Sequence, residues 1–294
     1  MRSLFYIRGF TLLGLVILWL ISWIPFTAHL QLAAVTGVSA EEFLTVAFLD
    51  IGQGDAIFIE TPDGIQVLID GGPDGTVLRE LPKQMSSFDR GLDMVLATHP
   101  DKDHIGGLVD VLSRYQVGMI VSTENNSETA VSSAFVFARD AEQASLVTDI
   151  RAGDVIALGA STSLTVFSPA SNPATWESNA SSIVAKLSYG AVDFMLTGDA
   201  SIGIEEYLVE RYGALLQSEV LKLGHHGSRT STSAEFLATV APTYAVVSAG
   251  TDNTYGHPHT EVVERVNNQN IKLLSTALAG TIVFRSDGVR VWVE

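Results

Sequence analysis

Met94-Val95-Leu96-Ala97-Thr98-His99-Pro100-Asp101-Lys102-Asp103-His104-Ile105-Gly106-Gly107 decides how this chain is read. The apolar run Met94–Ala97 has the composition of a buried strand, and the apolar periodicity from Ile105 to Tyr115 predicts a helix. Two imidazoles and two carboxylates therefore occupy a strand-to-helix turn, where side chains can meet at one point. His99 and Asp101 are two residues apart at the strand exit and face the same side. Asp103 and His104 are adjacent and point at two different centres, as a two-metal site requires. Nitrogen and carboxylate donors of this kind suit Zn²⁺, Mn²⁺ and related ions. The plain alternative is a solvated turn with Asp103 as a helix N-cap.

The remaining histidines weigh against that alternative. Six of the seven lie in three short loops, each after an expected strand: His99 and His104, His225 and His226, His257 and His259. Asp199, behind Thr197-Gly198 at a strand end, is placed to bridge two ions; alone it would read as a turn or cap. Gly224-His225-His226-Gly227-Ser228 brings the backbone close to a ligand and offers one imidazole to a metal. His257 is a candidate ligand, general acid or phosphate contact, whereas His259 suits a helix start. Asp103, His226 and His257 form the expected catalytic group. Ser228 is read as a substrate contact, because no Gly-x-Ser-x-Gly elbow supports a serine nucleophile. Gly52-Gln53-Gly54-Asp55 lacks the Lys-Ser/Thr of a nucleotide loop. Asp55 and Asp70 are read as structural residues beside the site, Asp70 as a buried hydrogen-bonding group steadying neighbouring loops.

The composition narrows the chemistry. The 294 residues include no cysteine, which excludes disulfides, thiolate ligands and a cysteine nucleophile. A net charge of −16 opposes non-specific adhesion to nucleic acid or anionic lipid. A polyanionic substrate would have to be held by metal and by local bases such as Lys222 and Arg229. The N-terminus differs from the rest: Arg2 and Arg8 precede the uncharged run Phe10–Phe26, with Trp19 and Trp23 near its far end. That pattern predicts one membrane-spanning helix with the globular part outside the cytoplasm. A cleaved signal peptide ending at Val38-Ser39-Ala40, which would release a secreted protein, is the alternative. Residues 1–40 are thus assigned to anchor or signal and linker, and 41–294 to one domain.

From Phe43 the pattern becomes short β runs, first meander-like and then alternating with helices: Ile202–Tyr212, Ser233–Val240 and Thr260–Asn268 in the second half. Both halves move from meander to strand-helix units. The expectation is an α/β (α+β) fold of two packed sheets with helices outside and the metal-binding loops at one edge. Glu124–Ser132 is polar and expected to be a mobile loop.

With these residues in view, the chain resembles the metallo-β-lactamase superfamily, and within it the metallo-β-lactamase-like domain of ComEC-type DNA-uptake (competence) proteins. The resemblance runs from about Phe48 onward. It is carried by Leu49-Asp50-Ile51-Gly52-Gln53-Gly54-Asp55-Ala56, Ile69-Asp70-Gly71-Gly72, the His99–Gly107 loop, Thr197-Gly198-Asp199, His225-His226-Gly227-Ser228 and Gly256-His257-Pro258. It implies an αββα sandwich with two divalent ions, Zn²⁺ or Mn²⁺, held by His99, Asp101, Asp103, His104, Asp199 and His225. The superfamily often has His where Asp101 stands, which tilts the site toward harder Mn²⁺. Asn179 takes the approximate place of a further family histidine and, with Ser228 and Lys222, is assigned to substrate. The implied function is a membrane-anchored phosphodiesterase or nuclease acting on DNA, with separate channel components as partners. A hydrolase of small esters, lactones or nucleotides, and a non-catalytic metal-containing binding module, are the other readings.

Overall fold

Strands β1 (Leu44–Phe48) and β10 (Val192–Leu196) are apolar and buried except at their second residues, Thr45 and Asp193, which are half-buried. In the computed structural model, which describes residues 43–142 and 146–294, Leu44, Val46 and Phe48 meet Val192, Phe194 and Leu196 in a core between two sheets. Ala47 points the other way into a second core, and Met195 into a third. Apolar side chains alternating to both sides are what a sheet buried on both faces demands.

The first sheet adds β2 (Ile57–Glu60), β3 (Gln66–Ile69), β4 (Gly91–Leu96), β5 (Gln116–Ser122), β6 (Leu146–Asp149), β14 (Ile282–Ser286) and β15 (Val291–Val293), in the order β15-β14-β1-β2-β3-β4-β5-β6. The second holds β7 (Val155–Ala157), β8 (Thr162–Ser168), β9 (Val184–Tyr189), β11 (Val220–Lys222), β12 (Tyr244–Val247) and β13 (Lys272–Ser275), in the order β13-β12-β11-β10-β9-β8-β7. Helix α1 (Val77–Glu80), α2 (Lys102–Leu112) and α3 (Ala130–Ala141) lie on the first half of the chain. They are followed by α4 (Ile202–Tyr212), α5 (Ala234–Val240), α6 (Thr260–Asn268) and α7 (Thr276–Ala279). Ile105, Leu108 and Val111 of α2 recur at helical spacing and pack on the outer face of sheet one. Leu208 of α4, Phe236, Leu237 and Val240 of α5 and Val262 and Val266 of α6 cover sheet two. The layers are α, β, β, α.

Parallel pairing places the functional loops together. In sheet one β3, β4 and β5 run the same way, and in sheet two so do β10, β11 and β12. The loops after β3, β4, β10, β11 and β12 carry Asp70, His99 to His104, Asp199, His225 with His226, and His257, and they leave the carboxyl ends of those strands, where open α/β sheets bind ligands.

Several boundaries move. Helix α2 begins at Lys102, not Ile105, and its N-cap position is Asp101, not Asp103. Helix α3 starts at Ala130 because the Thr129 side chain accepts from Ser132 N at 3.2 Å, and it ends at Ala141. The Glu124–Ser132 segment is tied down: Asn125 is buried and donates to Trp176 O at 3.0 Å, and Glu124 pairs with Arg151. The N-terminal span expected at Phe10–Phe26 lies outside the described residues, among which no helix is long and apolar enough to cross a membrane.

Candidate metal centre

The first loop is laid directly on the metal loop. Gly54 has φ +122° and passes so close that a Cβ there would stand 2.1 Å from Asp103 O. Asp55 N, next in sequence, donates to Asp103 O at 3.1 Å. Beside it, Asp70 has a left-handed backbone (φ +58°) and takes Thr98 N at 2.8 Å and Thr98 Oγ1 at 2.7 Å. The fixed turn holds His99 and His104 under sheet one.

The hydrogen bonds determine which nitrogen each ring offers. Thr98 Oγ1 spends its proton on Asp70, so at 3.0 Å from His99 Nδ1 it accepts that nitrogen's N–H. His104 Nδ1 lies 2.8 Å from Asp70 Oδ2, and His226 Nδ1 donates to Ser248 O at 3.0 Å. Each Nε2 is left as the free donor atom, the arrangement by which outer partners orient metal-binding imidazoles. His99 Nε2, His104 Nε2, His226 Nε2 and Asp199 Oδ1 are all buried and without hydrogen-bond partners. Unsatisfied buried polar atoms are costly, and four converging on one place fit a bound cation.

Asp199 is the shared member. His104 Nε2 is 3.3 Å from its Oδ1, and His226 Nε2 is 3.4 Å from its Oδ2 and 3.3 Å from Asp103 Oδ2. On the other side His99 Nε2 lies 3.9 Å from Asp199 Oδ2 and 3.7 Å from Asp101 Oδ2, and His225 Nε2 lies 3.8 Å from Asp199 Oδ2. Two ligands each about 2.1 Å from one tetrahedral ion stand about 3.4 Å apart, so these spacings suit metal-sized gaps. The donors form two overlapping sets that share Asp199: Asp103, His104, Asp199 and His226, and His99, Asp101, Asp199 and His225. Both histidines of the pair therefore face the centre, and the more buried position belongs to His226, which was expected in the catalytic group while His225 was expected as the ligand. Consecutive left-handed backbones, φ +49° at His225 and +53° at His226, splay the two rings. Such conformations cost about 1–3 kcal/mol each and persist where a site requires them.

Asp55 offers a carboxylate oxygen within 4.8 Å of ligand atoms of His104, Asp199 and His226, and is the fourth member of that buried group. It faces the Nδ1 sides of His104 (3.7 Å) and His226 (3.5 Å) and pairs with Lys222. Lys222 corrects the reading that gave it to substrate: it is fully buried, held by Asp55 and by Gly198 O at 3.1 Å. Ser228 is also buried, its hydroxyl 2.9 Å from Thr230 Oγ1. Asn179 is half-buried with an unpartnered Oδ1. Its neighbour Ser178 donates to Asp101 Oδ1 at 2.6 Å, so this turn borders the donor set that includes Asp101. A lone lysine in the apolar run of β11 was the available signal of a buried ion pair; nothing local marked Ser178.

Charge in the site is tightly coupled. Burial raises the Asp199 carboxyl, but His226 and His104 outweigh it and hold it well below the usual range. Burial works against the charged rings of His104 and His226, yet Asp199, with Asp70 for one and Asp55 for the other, raises both well above 6.5. In the metal-free protein these rings carry protons that a cation must displace. Their raised values stabilise the metal-free fold fully below pH 6.5, and this contribution is lost as pH rises through the folded values. Chelator-treated protein is thus expected to lose melting temperature as pH is raised above neutral, while metal-loaded protein does not. Metal binding should also release protons, read as a dependence of calorimetric heat on buffer. A buffer-independent heat would contradict this account.

His257 borders the cleft, its ring 5.5 Å from His225 and 6.2 Å from His226. Burial and those two imidazoles lower its pKa to about 4. Its loop is fixed by Asn253, which accepts from His257 N at 2.9 Å and donates to His257 O and Gly250 O. His259 occupies the N-cap position of α6.

The family model for the metallo-beta-lactamase superfamily matches residues 49–251. Among curated proteins, the chain is similar to ComE operon protein 3 of Bacillus subtilis, at 33% identity over 261 residues, covering 82% of this chain and 33% of that protein. It is similar to competence protein ComA of Neisseria gonorrhoeae at 30% identity over 254 residues, 83% of this chain and 32% of that one. The chain spans about a third of the length of these relatives. Among solved structures, CmlA, a diiron β-hydroxylase from Streptomyces venezuelae, shares the fold with a TM-score of 0.54 at 12% identity, covering 85% of this chain and 54% of that one.

Proposed function

The chain belongs to the metallo-β-lactamase superfamily, and on that premise we propose that it is a two-metal phosphodiesterase acting on DNA. One observation carries the reading: three unpartnered imidazole nitrogens and a buried aspartate converge at the carboxyl ends of both sheets. The donors are nitrogen and oxygen only, which suits Zn²⁺ or Mn²⁺. His99, Asp101, Asp199 and His225 would hold one ion, and Asp103, His104, Asp199 and His226 the other. When bound, such ions activate water and neutralise the charge of a phosphodiester undergoing displacement. The naming of the relatives as competence proteins supports nucleic acid as the substrate class.

The protein's own groups do the rest. Asp70, Thr98 and Ser248 keep the ligand rings in one tautomer, and Ser178 orients Asp101. His257, neutral at physiological pH, is suited to donate an N–H to a phosphate oxygen and not to deliver a proton as a general acid. Nearby cations would lower its pKa further. His257→Ala is expected to retain metal and lose about 10²–10³-fold in kcat, as for a transition-state hydrogen-bond donor. Loss of bound metal in this variant would instead make His257 a ligand.

The decisive experiment is elemental analysis of the protein reconstituted with Mn²⁺ or Zn²⁺, followed by hydrolysis assays on single-stranded DNA, double-stranded DNA, RNA and lactams. Metal-replete protein that cleaves no phosphodiester at low salt would falsify the nuclease reading. Arg2, Arg8 and the run that follows support an anchored protein with this domain outside the cytoplasm; a topology reporter fused after Glu294 tests it, and a cytoplasmic signal reverses it.

A further inference from the structure

We propose that Tyr255 is a stacking platform for the nucleobase next to the phosphodiester being cleaved, so that the site takes base-bearing, unpaired strand in preference to a bare phosphodiester. This rests on the phosphodiesterase reading above. Tyr255 is 64% exposed. One face of its ring lies on His257, with centroids 5.6 Å apart and planes at 21°. His257 in turn reaches His225 and His226, so the tyrosine borders the cleft through a single intervening ring.

The loop that carries it is not free to swing, because Asn253 bonds to both His257 N and His257 O and to Gly250 O. An exposed aromatic at a fixed place beside a phosphate site offers a large flat surface at little entropic cost. Charge favours such a surface. The protein carries −16 overall, Lys222 is buried against Asp55, and Arg229 is paired with Glu261 at 3.2 Å. A strand held against an acidic surface gains from contacts that do not depend on its charge, and base–aromatic stacking supplies them whatever the base. A paired base has both faces covered by its neighbours, so the platform selects bases that are unstacked.

The test uses the full metal-loaded chain and two oligonucleotides of equal length, one of thymidines and one of abasic tetrahydrofuran residues. The wild type is expected to favour the thymidine strand by about 5–100-fold in kcat/KM, chiefly through KM. Tyr255→Ala should bring the thymidine strand down to the abasic level, and Tyr255→Phe should keep the preference. A second readout needs no turnover: with metal withheld by chelator, 2-aminopurine in the strand should be quenched by wild type and Tyr255→Phe and not by Tyr255→Ala. If Tyr255→Ala keeps the preference, or slows both strands equally, the platform is wrong while the phosphodiesterase stands. Equal quenching by all three proteins also overturns it. If the wild type cleaves neither strand, the phosphodiesterase reading fails and the platform falls with it.

Discussion

Asp199→Ala is expected to yield a chain that retains about one divalent ion at most and cleaves phosphodiesters at least about 10²-fold more slowly than the parent. Loss of an outer-sphere partner alone costs about 10–100-fold in metal affinity or activity, and Asp199 touches both donor sets directly. Its two oxygens face four imidazole nitrogens, those of His104, His226, His99 and His225, at 3.3–3.9 Å. Without the carboxylate the four rings have no common counter-charge, and the raised pKa values of His104 and His226 fall. Elemental analysis and single-turnover cleavage read the two effects together. Full metal content in the variant would remove Asp199 from the role of shared ligand.

The second large effect concerns stability. Lys222→Met is expected to cost about 3–5 kcal/mol, measured by urea unfolding in chelator, because it strands the buried charge of Asp55. Lys222 and Asp55 are almost completely buried, and the ammonium also stands 3.8 Å from Asp199 Oδ1. Burial depresses the lysine, but Asp55 and Asp199 more than restore it and leave its pKa above the ordinary value. The double variant Asp55→Asn/Lys222→Met should recover much of the loss, since both charges are then gone. A single variant costing less than about 1 kcal/mol would mean that the ion pair is incidental to the fold.

Most of the architecture was legible in the chain because its signals are local. The helices Ile202–Tyr212 and Thr260–Asn268 fall at the expected residues, where apolar period and turn chemistry agree. Strand Leu146–Asp149 was missed because it is an exposed edge with no apolar alternation. The first turn of α2 was missed because its residues are polar and face the cleft. In the site, the loop histidines and aspartates stood out by clustering after strands. The partners that orient them did not: Ser178 meets Asp101 from 77 residues away, and Lys222 meets Asp55 across the interface of two sheets. Such pairings are products of topology, so residue type alone assigned Lys222 and Ser228 to substrate when folding encloses both.

The neighbour of β1 has a consequence for how this protein is made. Strand β1 pairs with β14 along Leu44↔Ser286 to Phe48↔Ile282, and Asp50 N reaches Thr281 Oγ1 across 231 residues. During synthesis β1 therefore waits for its partner for roughly 10–50 s at ordinary elongation rates. Throughout that interval it presents an unpaired apolar edge to other nascent chains. Truncated products that stop before Ile282 lack the partner of that edge and are expected to aggregate or be degraded.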